Sequence, residues 1–307
     1  MATIQWLSSY IFFASGPLRC YTRLQSSAPL SAPVLVGLIH KYKPAATAWT
    51  PYLLGQFLVA AEKGCDLSSF KYIAIGGSSI EKSLLDKFRK ICSAYLYLVY
   101  GMTELVVPIF EFDDGTPDGS TGYPMDKYQY KLIDEDGNVI TKPNKTGELW
   151  VRGENFFKGY LNNPEETQAI LTDDGWFKTG DIFYKDDQQY HFFVERKRLL
   201  IKHFGFLIPP LQMEEVIKRH PGVIEACVVG IPDPECMERP IAAILRRNGD
   251  KVDPEDIFDL LKKSLSEYKQ LSGGLFFVDS FPTTPSGKIN RSKVLQLAMK
   301  TSTTKPK

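Results

Sequence analysis

The sequence predicts a multidomain chain of α/β and α+β class: a mixed α/β region, a small antiparallel β region and a C-terminal α+β region. Three observations carry this prediction. Helix-spaced and strand-like apolar segments alternate from Val34 to about Tyr100, the rhythm of a mostly parallel sheet with helices on its faces. Beyond Phe112, strand-like segments are joined by Gly and Asp turns, which suits a small antiparallel sheet or barrel. From about Arg198, helix and strand signals alternate again in a compact α+β order.

Val34 to Tyr42 and Tyr52 to Lys63 carry helical apolar spacing. Lys71 to Ile75 reads as a short buried strand turned by Gly76-Gly77. Ser78 and Glu81 then form a capping box that opens a helix to about Cys92. Leu96 to Tyr100 is a second strand running into Gly101. Asp113 to Gly119 is a loop, and Tyr128 to Asp134, Gly147 to Arg152 and Tyr190 to Arg196 are strands. The run from Gly175 to Lys202 reads as two short strands and a turn. Pro210 to His220 is helical, and Val223 to Ile231 and Ile241 to Arg246 are strands. Asp253 caps a helix with Pro254 at its first position, running to about Leu265. Leu275 to Val278 is a strand and Arg291 to Lys300 a final helix.

With 307 residues the chain is long enough for two domains. An apolar fraction of 43% and a charged fraction of 24% are those of an ordinary soluble protein. Net charge is +1, from 37 basic and 36 acidic residues, so no strong field favours nucleic acid or an anionic membrane. The five cysteines form no CxxC pair, which predicts reduced thiols and no zinc site. No apolar run is long enough to predict a transmembrane segment, and Ile4 to Gly16 lacks the character of a signal peptide.

Five short motifs carry the chemistry. Gly175-Trp176-Phe177-Lys178-Thr179-Gly180-Asp181 is followed by Glu195-Arg196-Lys197-Arg198 and Lys202. A carboxylate accepts hydrogen bonds from paired ribose hydroxyls, a guanidinium donates to sugar or phosphate, and a lysine stabilises charge on an acyl or phosphoryl oxygen. The alternatives are an exposed turn aspartate and a solvated basic face. Tyr100-Gly101-Met102-Thr103-Glu104 stands at the carboxyl end of a strand, where open α/β sheets bind ligands. There Tyr100 offers a stacking ring, Thr103 a hydroxyl for phosphate and Glu104 a hard oxygen for magnesium; the alternative is an ordinary strand end. Gly76-Gly77-Ser78-Ser79 permits close backbone approach to a flat ligand, or is a plain βα turn. Pro285-Ser286-Gly287-Lys288 projects a lysine beyond a tight turn, toward a ligand or merely toward solvent.

Taken together and in this order, the five motifs resemble the adenylate-forming (AMP-binding) superfamily of acyl-CoA synthetases, 4-coumarate–CoA ligases and firefly-type luciferases. The segment Leu271 to Asp279 with Lys288 is most similar to the insect luciferase-like acyl-CoA synthetase branch. The resemblance runs from about Trp6 to Lys300. It implies a partial N-terminal AMP-binding α/β subdomain over 1–112, a β-rich subdomain over 113–197 and a mobile C-terminal domain over 198–307, the first two being the remnant of a large N-terminal domain.

The resemblance further implies an ATP-dependent, AMP-forming acid–thiol ligase. A fatty or aromatic carboxylic acid, ATP and coenzyme A are its small-molecule partners, with Mg2+ as cofactor and no nucleic acid. Gly77 and Ser78 would flank the adenine, with Tyr100 stacked on it beside Gly101. Thr103 would meet the α-phosphate and Glu104 would ligate the metal. Asp181 would hold the ribose hydroxyls beside Arg196. Arg198 would be the hinge, Lys288 would serve adenylation and Lys202 thioester formation. Relatives of this branch are often peroxisomal, but the Lys305-Pro306-Lys307 ending is not the usual peroxisomal address. The family's Ser/Thr-Gly-rich phosphate loop ending in Lys has no counterpart here, and Trp6 to Tyr10 resembles the segment that follows it. The expectation is therefore an N-terminally truncated chain with weak or absent turnover. The alternatives are a non-catalytic nucleotide-binding or interaction fragment and, ranked lower, a luciferin monooxygenase.

Overall fold

The computed structural model describes residues 16–18, 20–25, 32–77, 80, 82–106, 108–112, 115–154, 156–247, 252–284 and 288–302. The expected capping box of Ser78 and Glu81 and the run Pro285 to Gly287 lie outside them. The chain forms two compact units: residues 1–179 with 183–193, and residues 180–182 with 194–307.

In the first unit the order is α1 (Ala32–Tyr42), β1 (Ala46–Trp49), α2 (Pro51–Glu62), β2 (Tyr72–Gly76), α3 (Lys82–Arg89) and β3 (Tyr95–Val99). The three strands make a parallel sheet in the order β1-β2-β3. The expected βα rhythm is there, with one strand more than the periodicity announced: β1 is only four residues long. α2 starts at an explicit signal, since Thr50 Oγ1 accepts the Leu53 N–H at 3.3 Å and Pro51 fills the first helical position. Trp49 anchors the core, stacked on Phe57 at 4.3 Å and edge-on to Phe70 and Phe88. Leu54, Ile73, Ile75 and Leu85 fill the space around these rings.

A short 3-10 turn over Thr103–Leu105 follows β3, and then a two-stranded ladder, β4 (Phe110–Glu111) with β5 (Tyr123–Pro124). β6 (Gln129–Ile133), β7 (Gly147–Arg152), β8 (Phe177–Lys185) and β9 (His191–Arg196) form a four-stranded sheet in that order, with β6 and β7 antiparallel. α4 (Pro164–Ile170) lies between β7 and β8, capped by Asn163 Oδ1 on the Glu166 N–H. Leu132, Leu149, Val151, Phe177 and Phe183 bury one side of the sheet against Leu105, Ile109 and Phe110. The run from Gly175 to Lys202 holds more strand than expected: β8 alone is nine residues long.

The second unit continues with a 3-10 turn over Lys197–Leu199, the hairpin β10 (Ile201–His203) and β11 (Phe206–Ile208), and α5 (Pro210–Ile217). β12 (Val223–Asp233), β13 (Met237–Arg246), α6 (Pro254–Ser264), β14 (Leu275–Val278) and α7 (Arg291–Ser302) complete it. The sheet runs β11-β10-β13-β12, with β14 parallel to β13. The near-continuous apolar runs of β12 and β13 reflect burial on both faces. Ala226, Val228, Ala242 and Ile244 face the core under α5 and α6, while Cys227, Val229, Ile241 and Ala243 face the core under α7 with Val294 and Ala298.

Candidate functional site

The residues singled out from the sequence fall into two groups, one in each unit. In the first unit, parallel pairing of β2 with β3 sets Gly76 opposite Val99. Gly77 and Tyr100 therefore leave the sheet side by side at its carboxyl edge, the edge where open α/β sheets bind ligands. The glycines are required there. A Cβ on Gly76 would lie 2.9 Å from the Val99 carbonyl oxygen, and Gly77 has φ +92°, which side chains disfavour. Tyr100 is half-buried, its ring edge-on to Phe183 at 4.9 Å and tilted against Phe110 at 5.8 Å. Gly101 and Thr103 are exposed, and Thr103 opens the 3-10 turn that carries Glu104. Ser78 lies outside the described residues.

Glu104 is held by a residue the sequence reading missed. Tyr160 Oη donates to Glu104 Oε1 at 2.7 Å, and the Phe157 N–H donates to the Glu104 carbonyl oxygen at 3.1 Å. Burial, then the hydrogen bond and charge of Glu104, push the Tyr160 phenol up to about 12. The described residues contain no group of three or more His, Cys, Asp or Glu side chains able to cage a metal ion. One hard carboxylate oxygen donor suits a cation that arrives with its ligand and keeps most of its own waters, as Mg2+ does.

In the second unit, Asp181 on β8 is 2% exposed. It is a buried strand residue, and the alternative of an exposed turn aspartate is corrected. Alternation along β8 puts it among the inward positions with Phe177 and Thr179. Arg196 Nε lies 3.3 Å from Asp181 Oδ1. Glu195, 1% exposed, accepts the N–H of Arg196 at 2.8 Å and that of Leu211 at 3.2 Å, which fixes the end of β9; burial pushes its carboxyl above the usual range. Arg198 is exposed on the 3-10 turn after β9. Lys202 is exposed on β10, its N–H bonded to Glu238 Oε2 at 2.7 Å.

Lys288 is paired with Thr284: the Thr284 N–H donates to the Lys288 carbonyl at 2.8 Å and the Lys288 N–H donates to Thr284 Oγ1 at 3.2 Å. Its side chain is exposed, yet enough protein crowds the ammonium that desolvation, and then the charge of Arg196, hold it below the ordinary lysine range. Lys288 and Arg196 are thus close enough to feel one another. Arg291, three residues on, was read only as a helix start. It makes a two-point ion pair with Glu214 at 2.6 and 2.8 Å and donates to the Val228 carbonyl at 2.9 Å. Burial alone would lower its pKa, but the Glu214 carboxylate outweighs that and holds it above the usual arginine range.

The described residues thus hold a buried carboxylate beside a guanidinium, a lysine whose ammonium feels that guanidinium's charge, and a glycine-opened strand end. The family model of AMP-binding enzymes matches residues 7–161, and that of the AMP-binding enzyme C-terminal domain matches residues 212–288. The chain belongs to the AMP-binding enzyme family. It is 32% identical over 292 residues to 4-coumarate–CoA ligase-like 4 of Oryza sativa subsp. japonica, covering 94% of this chain and 52% of that protein. It is 31% identical over 294 residues to luciferin 4-monooxygenase of Nipponoluciola cruciata, covering 94% and 54%. Its fold superposes on o-succinylbenzoate CoA synthetase of Bacillus subtilis, solved in complex with its acyl-adenylate intermediate, with a TM-score of 0.84 at 25% identity, covering 95% of this chain and 59% of that one. The same synthetase has been solved with ATP and magnesium, where the TM-score is 0.82 at 25% identity, covering 95% and 60%. The chain thus spans about half the length of the curated relatives it matches. Among the described residues no helix is long and apolar enough to cross a membrane.

Proposed function

We propose that this member of the AMP-binding enzyme family takes part in ATP-dependent activation of a carboxylic acid and its transfer to coenzyme A. The observation that carries the reading is the buried Asp181 with Arg196 at 3.3 Å; the charge of Arg196, after desolvation, also helps hold the Lys288 ammonium below the ordinary lysine range. In this reading Asp181 accepts both ribose hydroxyls and Arg196 donates to the sugar. Gly77 and Ser78 flank the adenine with Tyr100 stacked on it beside Gly101, and Thr103 donates to the α-phosphate. Glu104 would hold a Mg2+ ion, which when bound neutralises charge on the phosphates. The acid's carboxylate oxygen forms a bond to the α-phosphorus as pyrophosphate leaves, and Lys288 stabilises the charge that gathers there. Coenzyme A thiolate then attacks the acyl carbon and AMP leaves, with Arg198 as hinge and Lys202 taking the place of Lys288. Fatty and aromatic acids are the substrate classes of this reading.

A second reading is binding without turnover. It concerns these 307 residues taken by themselves, which contain no Thr-Gly-Thr-Thr-Gly-x-Pro-Lys-like run to grip the β- and γ-phosphates. A pyrophosphate-release assay with palmitate or 4-coumarate, ATP and coenzyme A separates the two. Turnover abolished by Lys288→Ala supports the ligase; no turnover beside measurable AMP binding supports the binding protein.

A further inference from the structure

Glu104 is gripped by one loop at two points. Tyr160 Oη holds Oε1 at 2.7 Å while the Phe157 N–H holds the backbone carbonyl at 3.1 Å. The loop is itself secured. Thr167 Oγ1 on α4 accepts the Tyr160 N–H at 2.9 Å and donates to the Asn163 carbonyl at 2.8 Å. The Phe157 ring packs on Tyr160 at 5.1 Å and on Phe177 at 5.7 Å, which backs one side of a phenol that is otherwise 38% exposed. Among the described residues, Oε2 of the same carboxylate carries no hydrogen bond.

We infer that Tyr160 is a specificity-determining positioning residue: by occupying Oε1 it makes Glu104 a one-oxygen ligand and so favours Mg2+ over Ca2+. This rests on the reading of Glu104 as the cation ligand. Mg2+ is small, demands octahedral geometry and takes few protein oxygens while keeping its waters. Ca2+ is larger, accepts more oxygens at longer range and gains from a carboxylate that offers both. A phenol that donates to Oε1 leaves the first mode intact and disfavours the second, because one of that oxygen's two lone pairs is already used. It also fixes the rotation of the carboxylate, so the remaining oxygen meets the cation in one direction.

The test is calorimetric titration of ATP into the full chain in saturating Mg2+, saturating Ca2+ or EDTA, for the parent, Tyr160→Phe and Glu104→Gln. The parent is expected to bind ATP more tightly with Mg2+ than with Ca2+. Tyr160→Phe is expected to lower that preference by about tenfold, the size of one lost hydrogen bond to a charged group. Glu104→Gln is expected to abolish it. Thr167→Val leaves the phenol in place but frees its backbone anchor. It should move the ratio in the same direction, and it serves if Tyr160→Phe does not fold. If Tyr160→Phe and Thr167→Val keep the parent ratio while Glu104→Gln removes it, the inference is overturned and the role of Glu104 stands. If Glu104→Gln keeps the ratio, or the parent binds ATP equally in EDTA, the role of Glu104 fails and the inference fails with it.

Discussion

Arg196 reaches Asp181 from the end of the neighbouring strand, its Nε 3.3 Å from Oδ1, and the two differ sharply in exposure: the aspartate side chain is 3% accessible and the arginine 41%. A carboxylate loses its hydration on burial and is retained where charge and hydrogen bonds compensate. The guanidinium does that from the solvent side, so one end of the pair stays open to a ligand. Glu195 explains why the arm is steady, because its buried carboxylate ties the Arg196 N–H and the Leu211 N–H together. Replacing the fork by a single ammonium in Arg196→Lys is expected to weaken AMP binding by about tenfold while leaving thermal stability within a degree or two, since the position is exposed. Calorimetry beside thermal unfolding checks both halves.

Arg291 and Glu214 form a buried ion pair, with Glu214 4% exposed. Removing one partner strands the other. Arg291→Met is expected to destabilise the second unit by about 3–5 kcal/mol, and the double variant Arg291→Met/Glu214→Leu to recover most of that loss. Urea unfolding followed by hydrogen exchange of β12 and β13 amides reads the effect in the unit concerned; a double variant no better than the single one would contradict the account.

His191 gives a pH dependence. It is 4% exposed and packed against Phe110, and its Nδ1 meets the Gln189 carbonyl at 2.9 Å, which assigns the proton to Nδ1 because a carbonyl only accepts. Burial holds its pKa down to about 4, against 6.5 for the free side chain. The unfolded chain therefore binds a proton between these values that the folded chain refuses. Stability from this group is complete above pH 6.5 and falls as pH drops toward 4, by about 3 kcal/mol in all. His191→Gln is expected to flatten that slope between pH 6.5 and 4 in urea unfolding of the first unit.

Gly77 stands at φ +92°, and Thr50 Cγ2 would touch an added Cβ at 3.7 Å, so space is available and only the backbone angle objects. Gly77→Ala is expected to cost about 1–2 kcal/mol of stability. It should also weaken AMP binding, because relaxing the strain rotates the strand end. Gly76→Ala meets the Val99 carbonyl at 2.9 Å and is expected to be the more damaging change in unfolding experiments.

Much of this was legible. The parallel β2–β3 pair, the long strands β12 and β13 and the helix opened by Asp253-Pro254 follow from apolar runs and capping chemistry. β1 was missed because four residues between two helices give too little alternation to notice, although Thr50-Pro51 immediately after it is the same start signal that identified α6. α4 was missed likewise, though Asn163-Pro164 announces it. The burial of Asp181 was half-readable: its chemistry suggested ribose, but only strand alternation along the full length of β8 turns it inward. Tyr160 and Arg291 were not readable, because their partners Glu104 and Glu214 lie 56 and 77 residues away in sequence. Long-range polar pairs leave no periodic trace.

The central claim is that the buried Asp181 beside Arg196 holds the ribose of an adenine nucleotide. Calorimetric titration of AMP into the full chain and into Asp181→Ala tests it most directly. Saturable binding by the parent is expected, weakened at least about tenfold in the variant by loss of a charged acceptor for two hydroxyls. Equal affinity in the two proteins, or no binding by the parent, would contradict it.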